Sequence, residues 1–213
     1  MKKGVYTEEA AEDFLRSYVP VAKHFLIDSL EGLERSAKKL GFPLVLKIIS
    51  PDALHKSDIQ GVHFAKDFEE LAQSYEALLA IVERRKLRFQ GILVQEYIEG
   101  SYVLIGLKKD PVFGHVLVFG IGGIYTELLK DISFRICPIT LEDADAMIQE
   151  LKMKDLLFGF RGSKTVNIAL LKKTLVSVSR IPLKHTDIQE MDINPFVINH
   201  KAGYVVDARI VVV

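Results

Sequence analysis

The stretch Leu44–Gly61, LVLKIISPDALHKSDIQG, constrains this chain more than any other. Leu44 to Ile49 is apolar except for Lys47, and Pro43 and Pro51 bracket it, which predicts a short buried strand. An ammonium inside such a strand is costly unless something negative meets it. The loop behind the strand carries His55 and Lys56 and closes on Gly61. One strand aims a cation at a point and the following loop brings an imidazole toward the same region, a combination suited to triphosphate chemistry. The plainer alternative is a strand with a snorkelling lysine and a solvated loop.

The chain has 213 residues, enough for one large domain or two small ones. Its hydrophobic share is 49% and its charged share 26%, as in soluble globular proteins. A formal net charge of +0 argues against nucleic acid as a partner. A single cysteine, Cys137, excludes an intrachain disulfide, fits a reducing compartment and reads as a small core residue. No apolar run is long enough to span a bilayer, and the N-terminal MKKGVYTEEAAEDFL lacks the apolar segment of a signal peptide. The expected location is cytoplasmic, with no membrane association.

Cap residues and apolar spacing set the remaining elements. Thr7 with Glu8 and Glu9 predicts a helix start, Ser29 a second, Asp67 a third and Thr140 a fourth, with a further helix over 167–179. In the second helix Leu30, Leu33, Ala37 and Leu40 form the expected core face, and in the third Leu71, Tyr75, Leu78, Leu79 and Val82. Arg84, Arg85 and Lys86 read as a solvated helix terminus, not a nucleic-acid patch. Strands are expected over 25–27, 92–95, 102–107, 116–119, 188–193, 196–198 and 204–212. This mixture gives an α/β or α+β chain with mixed sheets. A Rossmann fingerprint and a P-loop are both absent.

Three further segments bear on chemistry. Gln95-Glu96-Tyr97-Ile98 closes a strand and could offer main-chain groups to a flat ring, as any strand end could. Gly120-Ile121-Gly122-Gly123 permits either an anion-binding nest or a tight turn. Asp192-Ile193-Asn194-Pro195 places Asp192 and Asn194 on one strand face, and Asp207 interrupts the apolar VVDARIVVV. If those two segments pair, Asp207 lies opposite Asn194 and hard oxygen atoms converge, as suits Mg²⁺ shared with nucleotide phosphates. The alternative is a polar hairpin edge.

Taken in order, GFPLVLKIISPDALHKSDIQGV, GILVQEYIEG, KKDPVFGHVLVFGIGGIYTELLKDISFRICPIT, GFRGSK, DINPF and VDARIV span nearly the whole chain. This string resembles the β subunits of the ADP-forming acetyl-CoA synthetases, of the ATP-grasp superfamily. The resemblance implies an α+β ATP-grasp fold, two subdomains with mixed or antiparallel sheets clasping a nucleotide, divided as 1–95 (with a phosphohistidine loop over 50–61) and 96–213. It implies ATP/ADP and Mg²⁺ as cofactors and a separate CoA-binding α subunit as partner, without which the overall reaction is not completed. Lys47 is expected on the phosphates, and Glu96, Tyr97 and Ile98 on adenine through main-chain groups. Gly122, Gly123 and Glu127 are expected to line the site. Asn194 and Asp207 are expected on Mg²⁺, with His55 as phosphoryl carrier and Asp192 orienting the phosphohistidine. Two departures stand out: Tyr102 occupies a usual glutamate position, and Gln60 a position where the loop often has glycine. The alternatives are a non-catalytic nucleotide-binding scaffold or regulatory subunit, and a carboxylate–amine ligase, for which the LHKSD loop has no evident use.

Overall fold

The computed structural model describes residues 2–53, 56–123, 131–162 and 164–213. In chain order the described elements begin with β1 (Gly4–Tyr6), α1 (Glu8–Leu15), β2 (His24–Ile27), α2 (Leu30–Leu40), β3 (Leu44–Ile49), β4 (Val62–Ala65), α3 (Phe68–Arg85) and β5 (Gly91–Glu96). They continue with β6 (Ser101–Asp110), β7 (Gly114–Ile121), β8 (Ile132–Ile136), α4 (Leu141–Glu150), α5 (Ile168–Ser179), β9 (Ile188–Ile198), β10 (Gly203–Val205) and β11 (Ala208–Val212).

The chain divides into two compact units, residues 22–97 and residues 1–21 with 98–213. This differs from the division at 95/96 expected above. The first 21 residues belong with the second half because β1 pairs with β11 through Gly4↔Val212 to Tyr6↔Ile210. Ala11 and Leu15 of α1 are also buried in that half's core. No sequence pattern near the N-terminus announces a three-residue edge strand whose partner is two hundred residues away.

The smaller unit is a four-stranded antiparallel sheet ordered β2-β5-β3-β4. Leu44, Leu46 and Ile48 face the helices, and Leu33, Ala37, Leu71, Tyr75 and Leu78 complete the core. Ser29 and Asp67 cap α2 and α3, accepting from the Gly32 and Glu70 amides at 3.3 and 2.9 Å. Leu30, expected in the core, is 58% exposed at the first position of α2. Strand β4 escapes sequence reading because Val62 to Ala65 alternates about a histidine and is only four residues long.

The larger unit carries a seven-stranded sheet with path β1-β11-β9-β6-β7-β8, and β10 pairs with β9 off that path. Alternation along β6 sends Val103, Ile105 and Leu107 into a core shared with α1, α4 and α5. Tyr102, Leu104 and Gly106 consequently point to the opposite face. Thr140 begins α4 with a full capping box to Asp143. Two strands expected over 188–193 and 196–198 are one strand, β9, whereas the single strand expected over 204–212 is two. The named strands β10 and β11 separate at Val206-Asp207, opposite Pro195, which has no amide to donate, while the Val206 and Asn194 amides still donate to the Pro195 and Asp207 carbonyls. Cys137 is half-buried against the core, and burial pushes its thiol up to about 12.

Candidate functional site

Strand β3 delivers Lys47 to the face of its sheet away from the helices. Its register partners are Leu93 of β5 and Val62 of β4, so aliphatic neighbours flank the ammonium. Lys47 is 6% exposed, and its Nζ donates to Gln95 Oε1 at 2.9 Å. An amide oxygen orients the ammonium without neutralising it. Gln95 is itself buried, one strand away on the same face. Sequence reading noticed Gln95 only as part of a strand end; alternation along β5 gives the face of its side chain, but only the pairing of β5 with β3 sets it beside Lys47.

The end of β5 is built from main-chain bonds. The Glu96 amide donates to Lys23 O at 3.0 Å, and Glu96 Oε1 accepts from the Lys23 amide at 2.7 Å. The Tyr97 amide donates to Pro43 O at 3.1 Å. The amides of Glu96 and Tyr97 are thus committed within the fold. Tyr97 packs edge-on to Phe64, with ring centroids 5.2 Å apart. Gln60, at the close of the Lys56–Ile59 turn, has φ +59°, a left-handed conformation that glycine adopts at least cost.

In the larger unit, the glycine-rich segment is held by close packing. The Gly122 amide donates to Tyr102 O at 2.7 Å, and a Cβ on Gly122 would sit 2.9 Å from the Tyr102 carbonyl carbon. A Cβ on Gly120 would likewise sit 2.8 Å from Asp131 O. The Gly122 N–H therefore does not contribute to an anion nest, and the turn reading accounts for it. Gly123 has φ +89° and lies past the strand end.

The β9–β11 register brings the polar residues together. Ile193 pairs with Ala208, and the Asn194 amide donates to the Asp207 carbonyl at 3.1 Å, so Asn194 and Asp207 stand at paired positions. Ile193 is buried in the core, which turns Asp192 and Asn194 to the other face. Asn194 is exposed, while Asp192 and Asp207 are half-buried. One row across the sheet runs Phe134, Val118, Gly106, Asp192 and Arg209, each the register partner of the next. Burial raises the Asp192 pKa above the usual carboxylate range, the nearby Arg209 guanidinium opposes the rise, and Glu190 adds to it. Arg209 is fixed by its Nη2 donating to Glu190 Oε1 at 2.8 Å. The sequence drew no attention to Arg209 or Glu190, because only strand register shows that they flank Asp192.

An amide oxygen and a carboxylate at paired positions form a hard-oxygen donor set that fits Mg²⁺ sharing its remaining sites with phosphates and water. Among the described residues no group of three or more His, Cys, Asp or Glu side chains is arranged to hold a metal by itself. His55 and Glu127 lie outside the described residues. No helix among the described residues is long and apolar enough to cross a membrane.

Comparison with known proteins bears on what this arrangement serves. A family model described as an ATP-grasp domain matches residues 1–212. The β subunit of acetate–CoA ligase (ADP-forming) I of Pyrococcus furiosus is 36% identical over 209 residues, covering 96% of this chain and 90% of that subunit. Acetate–CoA ligase (ADP-forming) I of Archaeoglobus fulgidus is 40% identical over 196 residues, covering 91% of this chain and 29% of that longer protein. Acetyl-coenzyme A synthetase 1 of Korarchaeum cryptofilum, solved with coenzyme A and Ca-AMPCP, superposes with a TM-score of 0.95 at 40% identity, covering 99% of this chain and 94% of that one. The same enzyme solved with Mg-AMPPCP has its phosphohistidine segment pointing towards the nucleotide-binding site. The chain belongs to the ATP-grasp domain family, and its place there is beside the β subunits of ADP-forming acetate–CoA ligases.

Proposed function

We propose that this chain is the nucleotide-binding subunit of an ADP-forming acyl-CoA ligase, with acetate the expected acid, working with a CoA-binding α subunit in the cytoplasm. The reaction is acyl-CoA + ADP + phosphate ⇌ carboxylate + CoA + ATP. The observation that carries the reading is the β9–β11 register, with Asp192 and Asn194 on one face and Asp207 paired to Asn194. The likeness to the P. furiosus subunit over almost its full length supports the choice of reaction.

Lys47, oriented by Gln95, binds nucleotide phosphate as a point charge. The main chain around Glu96, Tyr97 and Ile98 receives adenine through groups the fold leaves uncommitted. Asn194 and Asp207 hold Mg²⁺, which when bound neutralises charge on the transferring phosphoryl group. His55 accepts the phosphoryl group from the α subunit's site on a ring nitrogen and passes it to the terminal phosphate of ADP, leaving the imidazole free again, a role a neutral imidazole fills near pH 7. Asp192 accepts the hydrogen bond that orients the phosphohistidine ring. Gly122, Gly123 and Glu127 border the nucleotide.

The second reading, a non-catalytic nucleotide-binding scaffold, draws on Tyr102, an exposed aromatic where the resemblance leads one to expect a carboxylate. A single experiment separates the two. The chain is reconstituted with its α subunit, and ATP formation from acetyl-CoA, ADP and phosphate is measured for the parent and for His55→Ala. Turnover in the parent, lost in the variant with Mg-ADP binding retained, is the expected result. Mg-ADP binding without turnover in the parent selects the scaffold, and full activity in the variant refutes the phosphohistidine role.

A further inference from the structure

A groove on the helical side of the larger unit has no place in the chemistry above. It lies where the end of α5 and the following turn meet the start of α4 and the stretch after α1, and it encloses about 580 Å³. The Tyr18 ring, Val176 and Ser177 line it. Leu141 and Leu183 stand at its edges, 46% and 65% exposed. Ser177 Oγ donates to Tyr18 O at 2.8 Å, and Tyr18 Oη bonds His185 Nε2 at 2.7 Å, which ties this wall together.

Its rim carries Lys173, Arg180 and Lys184, and no acidic residue lines it. Among the described residues none of the three cations forms a salt bridge. Of the acids on α4, Asp143 closes the capping box with Thr140, Asp145 pairs with Lys172 at 3.1 Å and Glu150 pairs with Arg135, while Glu142, exposed in the first turn, is not among the residues lining the groove. Cations after a helix C-terminus are favoured by its dipole, which accounts for Arg180 and Lys184. The dipole does not account for two leucines left in water beside them. Apolar edges with a one-signed rim form the pattern of an interface in which charge selects the partner and apolar contact holds it.

We propose that this groove receives an apolar segment flanked by Asp or Glu on the companion CoA-binding subunit. The inference rests on the proposed function. It draws further on the architecture of the relatives: the A. fulgidus protein carries the matching segment as 29% of one longer polypeptide, and the P. furiosus one is a separate subunit. In either arrangement the matching part works beside other protein. The face of the sheet bearing Asp192 lies on the opposite side from α4 and α5, so docking here leaves it clear.

The test measures association of this chain with its α subunit by biolayer interferometry, for the parent, for Arg180→Glu/Lys184→Glu and for Leu183→Asp. These exposed positions leave thermal stability and Mg-ADP affinity of the isolated chain unchanged, which is checked first. Each variant is expected to weaken association at least tenfold. Raising NaCl from about 0.1 to 0.5 M should weaken the parent more than the charge-reversed variant. Parent-like affinity in both variants overturns the inference and leaves the proposed function standing. A parent that never associates with an α subunit overturns both. Variants that change only self-association in sedimentation assign the groove to a second copy and overturn it as well.

Discussion

Replacing Lys47 with Met removes one charge from β3 and keeps the side-chain volume. Two opposing effects act on stability. Gln95 Oε1 loses the ammonium that donates to it at 2.9 Å, which costs about 1–3 kcal/mol for a buried acceptor. Against this, a side chain only 6% exposed no longer has to carry a desolvated charge, which returns energy of the same order. The net change is expected within about 1 kcal/mol, a shift in Tm of roughly 2–4 °C for a chain of this size. Binding has no such cancellation. A charge-assisted hydrogen bond to phosphate contributes about 1.5–3 kcal/mol, so Mg-ADP affinity should fall about 10- to 150-fold. Isothermal titration beside thermal denaturation reads both numbers. Gln95→Leu is the comparison, since it leaves the ammonium buried without its amide oxygen and should destabilise more than Lys47→Met does. A folded Lys47→Met protein that binds Mg-ADP within twofold of the parent refutes the reasoning.

Three further outcomes follow from particular contacts. Asp207→Asn should weaken Mg-nucleotide binding by an order of magnitude or more with little change in Tm, and superimposable titration curves would count against a metal role. Gly122→Ala forces a methyl to 2.9 Å from the Tyr102 carbonyl carbon and should cost about 1–3 kcal/mol, whereas at Gly106 the nearest atom is 3.5 Å away and Gly106→Ala should be neutral or stabilising by up to about 1 kcal/mol; urea midpoints distinguish them. The Arg135 guanidinium, with help from Ser133, holds the Glu150 carboxyl below the usual range. That stability is present above the unfolded glutamate pKa and is lost as pH falls through the lower folded value. Glu150→Gln should therefore lower the urea midpoint at pH 7 and flatten its decline in acid, and an unchanged acid limb would refute the assignment.

How much of this was legible in sequence depended on the range of the interaction. The Ser29, Asp67 and Thr140 caps are local hydrogen bonds spanning three residues, and each begins its helix where the residue pattern put it. The apolar run around Lys47 is a strand for the same reason: its neighbours in sequence already fix its character. The pairing of Asn194 with Asp207 was readable as a condition, because alternation within each segment is local even though their meeting is not. Fold and family were also legible through the ordered string of motifs, which spans most of the chain.

What the tertiary structure alone decided are the partnerships that cross the chain. Gln95 meets Lys47 from another strand, and Arg209 stands beside Asp192 because β11 pairs with β9 in one register. Residues 1–21 join the larger unit through pairing with the last strand. The glycines at 120 and 122 allow close packing against Asp131 and Tyr102. Local propensity and side-chain period follow from consecutive residues, so a sequence carries them openly. Strand register and the burial of a polar group depend on which distant segment arrives opposite, and that is settled only when the sheets assemble and their cores exclude water.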